Sequence, residues 1–195
     1  MILFNSDQKR LTILLNSLFI GSYLIIIGIF IFVRKYAFAA ETFLGLFSYA
    51  GFMLLEKKMK FQLENQLRLF IMVSAVLNSF FGEYMGLYYS TPYHDKILHM
   101  VGTFAFALAI YSVMNKIIAA TPVSRLYIFI LLVSLGALVG VVMELMEYFS
   151  DVLFKTYNQF GLVDTNVDMI YDMLGGILAG LYCAYGVRNA GFIHQ

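Results

Sequence analysis

Three aspartates, Asp164, Asp168 and Asp172, stand four residues apart, and a glycine-rich apolar run follows them without a break ("DTNVDMIYDMLGGILAG", 164–180). On one helix they share a face, and Asp172 is carried into the apolar run. The pattern recurs. Asp95 and His99 are four residues apart at the head of another apolar run. Glu144, Glu147, Tyr148 and Asp151 keep the spacing of one helical face near the end of a third. Glu83 sits in a fourth. An ionised side chain at the centre of a membrane helix costs about 2.5–3.5 kcal/mol on insertion scales, so each of these acids needs a reason.

Carboxylates beside one imidazole suit three kinds of chemistry. A hard divalent cation would take carboxylate oxygens and one ring nitrogen, and with an open position it could activate water against an ester or phosphoester. Acids crowded in low dielectric can stay protonated and act as acid, base or proton relay. An acidic pocket can also hold a cationic or hydroxyl-rich head group. On any of these readings His99, Glu144, Asp168 and Asp172 are the candidate catalytic groups, and the same four are the candidate metal ligands. Asp95, Lys96, Glu83 and Glu147 are the candidate substrate contacts, with Lys96 available to a phosphate. No HExxH or Cys/His ligand spacing is present, and no nucleophilic triad or glycine-rich phosphate loop.

These residues must be positioned by membrane helices. Of 195 residues 61% are hydrophobic and 13% charged, which is the balance of a polytopic membrane protein rather than a soluble domain. A net charge of +1 gives no basic field for nucleic acid. The lone Cys183 leaves no disulfide within the chain. Apolar runs predict six spans in a single transmembrane domain over 1–195, at about 11–33, 37–55, 67–90, 97–115, 125–149 and 166–187. They should be helices, because backbone groups in lipid must be satisfied internally. The first run is too long for a signal-peptide core and reads as a retained span. "EKKMKFQLENQLR" between spans two and three reads as a short surface helix carrying Lys60, Glu64 and Arg68, or as extensions of its neighbours.

Lys9, Arg10, Lys57, Lys58, Lys60, Arg68, Lys116, Arg125 and Arg188 fall on one side, against Arg34, Lys35, Lys96 and Lys155 on the other, which predicts both termini in the cytoplasm. At about 1.5 Å per residue, Glu83 then lies about 10 Å below the outer end of its span, Glu144 about 8 Å, and Asp168 and Asp172 about 3 and 9 Å. Four helices thus place acids and a histidine in one layer, and His99, Glu144, Asp168 and Asp172 are expected to share a cavity. Plainer readings accompany this one. Asp95 and Asp164 can cap helices, Asp151 and His94 can be solvated loop residues, Glu147 can pair with Lys155, and Glu83 can hydrogen-bond across helices. Gly82/Gly86, Gly136/Gly140 and Gly176/Gly180 are spaced for close helix packing, and a homo-oligomer through one of them is left open.

The polar segments resemble those of VanZ-like membrane proteins. "HDKILHMVGTFAFAL" (94–108) is similar to that family's Asp-Lys-x-x-His opening. "GALVGVVMELMEYFSD" (136–151) is similar to its glycine-rich span ending in Glu-x-x-Gln, and 164–180 to its Asp-x-x-x-Asn-x-x-Gly segment. The likeness is closer still to the YjdF-type relatives, which carry an Asp-Thr-x-x-Asp-Met run and a second Glu where VanZ proper has Gln. Glu147 and Asp172 depart from VanZ proper, and both add negative charge. The resemblance implies a bacterial cytoplasmic-membrane protein working near outer-face cell-wall precursors, since VanZ is associated with low-level teicoplanin resistance. Its expected partners are membrane lipids and a lipid-linked envelope precursor. The alternative is a cation- or proton-coupled transporter or a structural membrane protein.

Overall fold

The computed structural model describes residues 6–118 and 124–186. Thr121-Pro122, Arg188 and position 187 of the sixth expected span lie outside them. The described chain is helical: α1 (Ser6–Phe32), α2 (Tyr36–Met59), α3 (Asn65–Val76), a π-helical stretch (Leu77–Tyr84), a one-turn α4 (Leu87–Ser90), α5 (His94–Ile118), α6 (Arg125–Phe154) and α7 (Leu162–Leu181), which runs into a π turn (Tyr182–Gly186). Six helical segments, among them α3 with its π extension, are long and apolar enough to cross a membrane.

Several expected boundaries move. The third span ends at Tyr84 rather than at 90, because the π stretch gives way to Gly86 in a left-handed conformation (φ 76°). A side chain would strain that backbone, so Gly86 is a turn residue and not half of a packing pair with Gly82. Between spans two and three no separate surface helix forms. Instead α2 runs on to Met59, and Lys60 ends it in the left-handed region (φ 52°). At the other end of the chain, α6 continues to Phe154 and α7 begins at Leu162. Glu144 is therefore about 15 Å along the axis from the end of α6, and Asp168 and Asp172 about 9 and 15 Å from the start of α7, farther from their helix ends than from the ends of the expected spans.

The helices fall into two compact units, divided between Leu87 and Tyr88. In the first, Phe19, Tyr23, Ile26 and Phe30 form a four-residue stripe along α1 and pack with Ala39, Tyr49 and Met72. Beside this core Arg68, 1% exposed, donates to Glu56 at 2.5 Å, to the Tyr49 hydroxyl at 2.8 Å and to Asn16 at 3.1 Å. Arg68 is thus a buried member of a polar network and not a surface charge.

The second unit holds α5, α6 and α7, with α7 packed against both of the others. Small residues allow the approach. A Cβ built on Gly136 would lie 2.5 Å from the Gly176 Cα, and one on Gly140 would lie 2.5–2.7 Å from the Asp172 side chain. The Gly136/Gly140 and Gly176/Gly180 pairs therefore serve packing within this unit. Ser124 caps α6 by accepting from the Tyr127 N–H at 3.2 Å.

Candidate functional site

The acids of the second unit, with Lys96 and His99, gather at one end, where α5 starts, α6 finishes and α7 starts. Helical spacing explains the grouping. Asp95, His99 and Thr103 recur every four residues on α5, as Asp164, Asp168 and Asp172 do on α7, while Glu144 and Glu147 are three apart on α6. Asp95 and Asp164 also lie in first helical turns, where the helix dipole favours an acid.

His99 stands at the centre, 2% exposed. Its Nδ1 is 3.2 Å from each carboxylate oxygen of Asp172. Its Nε2 is 3.3 Å from Glu147 Oε1 and 3.6 Å from Asp95 Oδ1. Asp172 is itself held, since the Thr103 hydroxyl donates to its Oδ1 at 2.5 Å. Thr103, Asp172 and His99 thus form a chain that fixes the ring, with an acid on either nitrogen. The absence of a side chain at Gly140 leaves room for Asp172.

Lys96 organises the neighbouring half. Its Nζ lies 3.1 Å from Asp95 Oδ2 and 2.7 and 2.8 Å from the two oxygens of Asp168, and it also bonds Asp164. A lysine ammonium has three N–H donors, and here each has a carboxylate to meet. A phosphate would have to displace one of them.

Glu144 has a different environment. Its Oε2 accepts from the Gln159 amide at 3.1 Å, and that amide also reaches the Glu144 carbonyl at 3.2 Å. Its Oε1 is buried and has no hydrogen-bond partner among the described residues. Gln159 is set in place by Asp151, which accepts from the Thr156 hydroxyl and the Asn158 N–H at 2.8 Å and from the Gln159 N–H at 3.0 Å. Asp151 is therefore a helical residue that ties down the following loop, and not a solvated one. His94 opens α5 with its ring edge-on to Tyr88. Glu147 faces His99 and not Lys155.

Among the described residues two groups could hold a metal ion: Asp95, His99 and Asp168, and His99, Glu144 and Glu147, each with ligand atoms within 4.8 Å of one another. Donors around one ion with bonds of about 2.0–2.5 Å are spaced in that range. Of the eight residues expected at the site, Asp95, Lys96, His99, Glu144, Glu147, Asp168 and Asp172 come together. Glu83 belongs to the first unit, where its Oε1 accepts from Asn78 at 3.1 Å and its backbone carbonyl from Lys35 at 3.2 Å. Asp164, Thr103 and Gln159 join the site without having been expected there. The first two continue the four-residue spacing of Asp168 and His99, but nothing periodic marks Gln159.

No solved structure matches the chain. An uncharacterized protein of Thermotoga maritima is 31% identical over 118 residues, which cover 58% of this chain and 59% of that protein. The alignment therefore spans less than two thirds of the relative's length. A family model described as "Predicted membrane protein (DUF2238)" matches residues 15–189, nearly all of the helical chain described above. With six helices fit to span and this match, the chain is a multi-pass membrane protein and belongs to the DUF2238 family.

Proposed function

We propose that the second unit acts on the head group of an envelope lipid or lipid-linked precursor in a bacterial cytoplasmic membrane. The observation that carries this reading is His99, buried inside a spanning helix and held between Asp172 on Nδ1 and carboxylates on Nε2. A packing histidine needs no such arrangement. Fixing one nitrogen to an acid raises the basicity of the other and sets its direction, as second-shell carboxylates do for working imidazoles. Glu147 and Asp164 are the more open members, with side chains 22% and 18% exposed, so a head group would reach His99 past Glu147. The VanZ-like and YjdF-type resemblance supports an envelope substrate.

Transport through this unit is less well supported. Beyond Thr103 the buried residues among those described on α5 are Ala105, Ala107, Leu108, Ala109 and Tyr111, which offer no continuation of the acidic path. The test is to incubate protein in lipid nanodiscs with a total bacterial envelope lipid extract and follow each lipid class by mass spectrometry. One class should be converted by the wild type and spared by His99→Ala. Conversion by neither, or equally by both, would remove this reading.

A further inference from the structure

The acids around His99 do not share one role, and their pairing divides them. Asp95 and Asp168 each already face the Lys96 ammonium, at 3.1 Å and 2.7–2.8 Å. A divalent cation placed between them would stand beside a fixed positive charge. Glu144 and Glu147 have no such neighbour, and no ion pair joins either of them to Lys or Arg among the described residues. Their one basic contact is His99, 3.3 Å from Glu147. Glu144 is 6% exposed, and its Oε1 is buried without a hydrogen-bond partner. A buried carboxylate oxygen left bare costs free energy unless something positive meets it.

From this we infer that a divalent metal ion binds at His99 Nε2, Glu144 and Glu147, while the Lys96 ammonium already occupies the space among Asp95, Asp164 and Asp168 where a second ion would have to sit. One nitrogen and two carboxylates suit a first-row divalent ion such as Mn²⁺ or Zn²⁺ better than Ca²⁺, which prefers six or more oxygens. Asp172 is then a positioning residue and not a ligand. It accepts from His99 Nδ1 and is held by Thr103, which directs Nε2 at the ion. Gln159 does the same for Glu144 through Oε2, leaving Oε1 for the metal. Three protein ligands leave coordination positions for water or a head-group oxygen. The inference deepens the proposed lipid chemistry by naming the ion that would serve it, and the site itself is tested without lipid.

Purified protein in detergent is titrated separately with Mn²⁺ and Zn²⁺. Binding is read by elemental mass spectrometry after desalting, and for Mn²⁺ also by electron paramagnetic resonance. The wild type should retain near-stoichiometric ion. Glu144→Gln and Glu147→Gln should each weaken binding by more than about 100-fold, and Asp172→Asn by about 10–100-fold, as loss of a positioning partner does. Asp168→Asn, at a carboxylate that pairs with Lys96, should bind within a few-fold of the wild type. Circular dichroism melts identify any variant that has merely failed to fold, and Glu147→Asp supplies a milder change at the same position. Loss of ion in Asp168→Asn with retention in Glu144→Gln would overturn this ligand set in favour of the Lys96 half. No retained ion in folded wild type would overturn the metal site altogether. Lipid conversion that persists in metal-free protein would leave the lipid reading standing without it.

Discussion

At the scale of single residues, the acids of the second unit differ in their surroundings. Thr103 is the least conspicuous member of the chain that fixes His99, yet its hydroxyl is 2.5 Å from Asp172 and fully buried. Thr103→Val keeps the shape and removes the donor. Leaving a buried acceptor unmet costs about 1–3 kcal/mol, so thermal unfolding in detergent should show a clear loss of stability. Thr103→Ser, which restores the donor, should recover most of it. Equal melting of Val and wild type would mean that the hydroxyl holds nothing.

The next scale is the helix. Three helix ends meet only because α6 and α7 approach without side chains between them. Gly140→Ala would place a methyl 2.5–2.7 Å from Asp172. Overpacking of this kind costs about 1–3 kcal/mol, and it should also move Asp172 off His99. Gly28→Ala on α1 meets nothing within 4 Å and is the control, expected to be neutral or slightly stabilising. Melts of the two variants side by side decide the point, and equal stability would contradict the close contact. The sequence makes these helices legible because about 20 apolar residues in a row admit little else. The face carrying Asp95 and His99 is legible too, because a helix repeats every three to four residues. Less could be read of the ends, where Gly86 breaks one helix and α6 outruns its most apolar stretch. Burial of Arg68 is not visible at all, since its partners Glu56, Tyr49 and Asn16 come from two other helices. Gln159 is likewise hidden, because it reaches Glu144 only through the loop that Asp151 folds.

Taken whole, the chain is a multi-pass protein, and the polar networks around Arg68 in the first unit and His99 in the second differ in kind. In the first unit Arg68 and Glu56 pair at 2.5 Å, and Tyr49 and Asn16 accept from the other terminal guanidinium nitrogen, while Nε is buried without a partner among the described residues. Removing one partner of a buried pair costs about 3–5 kcal/mol, so Arg68→Ala should unfold far below wild type, while Arg68→Ala with Glu56→Leu should recover part of the loss. No recovery in the double variant would show that the pair is not the source of the cost. Sidedness is also a property of the whole chain. In a Cys183→Ala background, Lys155→Cys should react with an impermeant maleimide on intact cells, and Lys57→Cys only after permeabilisation. The reverse pattern would place the His99 centre at the cytoplasmic face and remove the outer-leaflet substrate. The second unit's network, unlike the first, leaves acid unbalanced, with Asp95, Glu144, Glu147, Asp164, Asp168 and Asp172 set against Lys96 and His99. That imbalance beside a fixed imidazole is the observation on which the proposed metal site rests. The most direct measurement is an anomalous-difference map from crystals grown with Mn²⁺. The expected result is one peak beside His99 Nε2, between Glu144 and Glu147, with Lys96 still on Asp95 and Asp168. A map without a peak, or with one where Lys96 now stands, would contradict it.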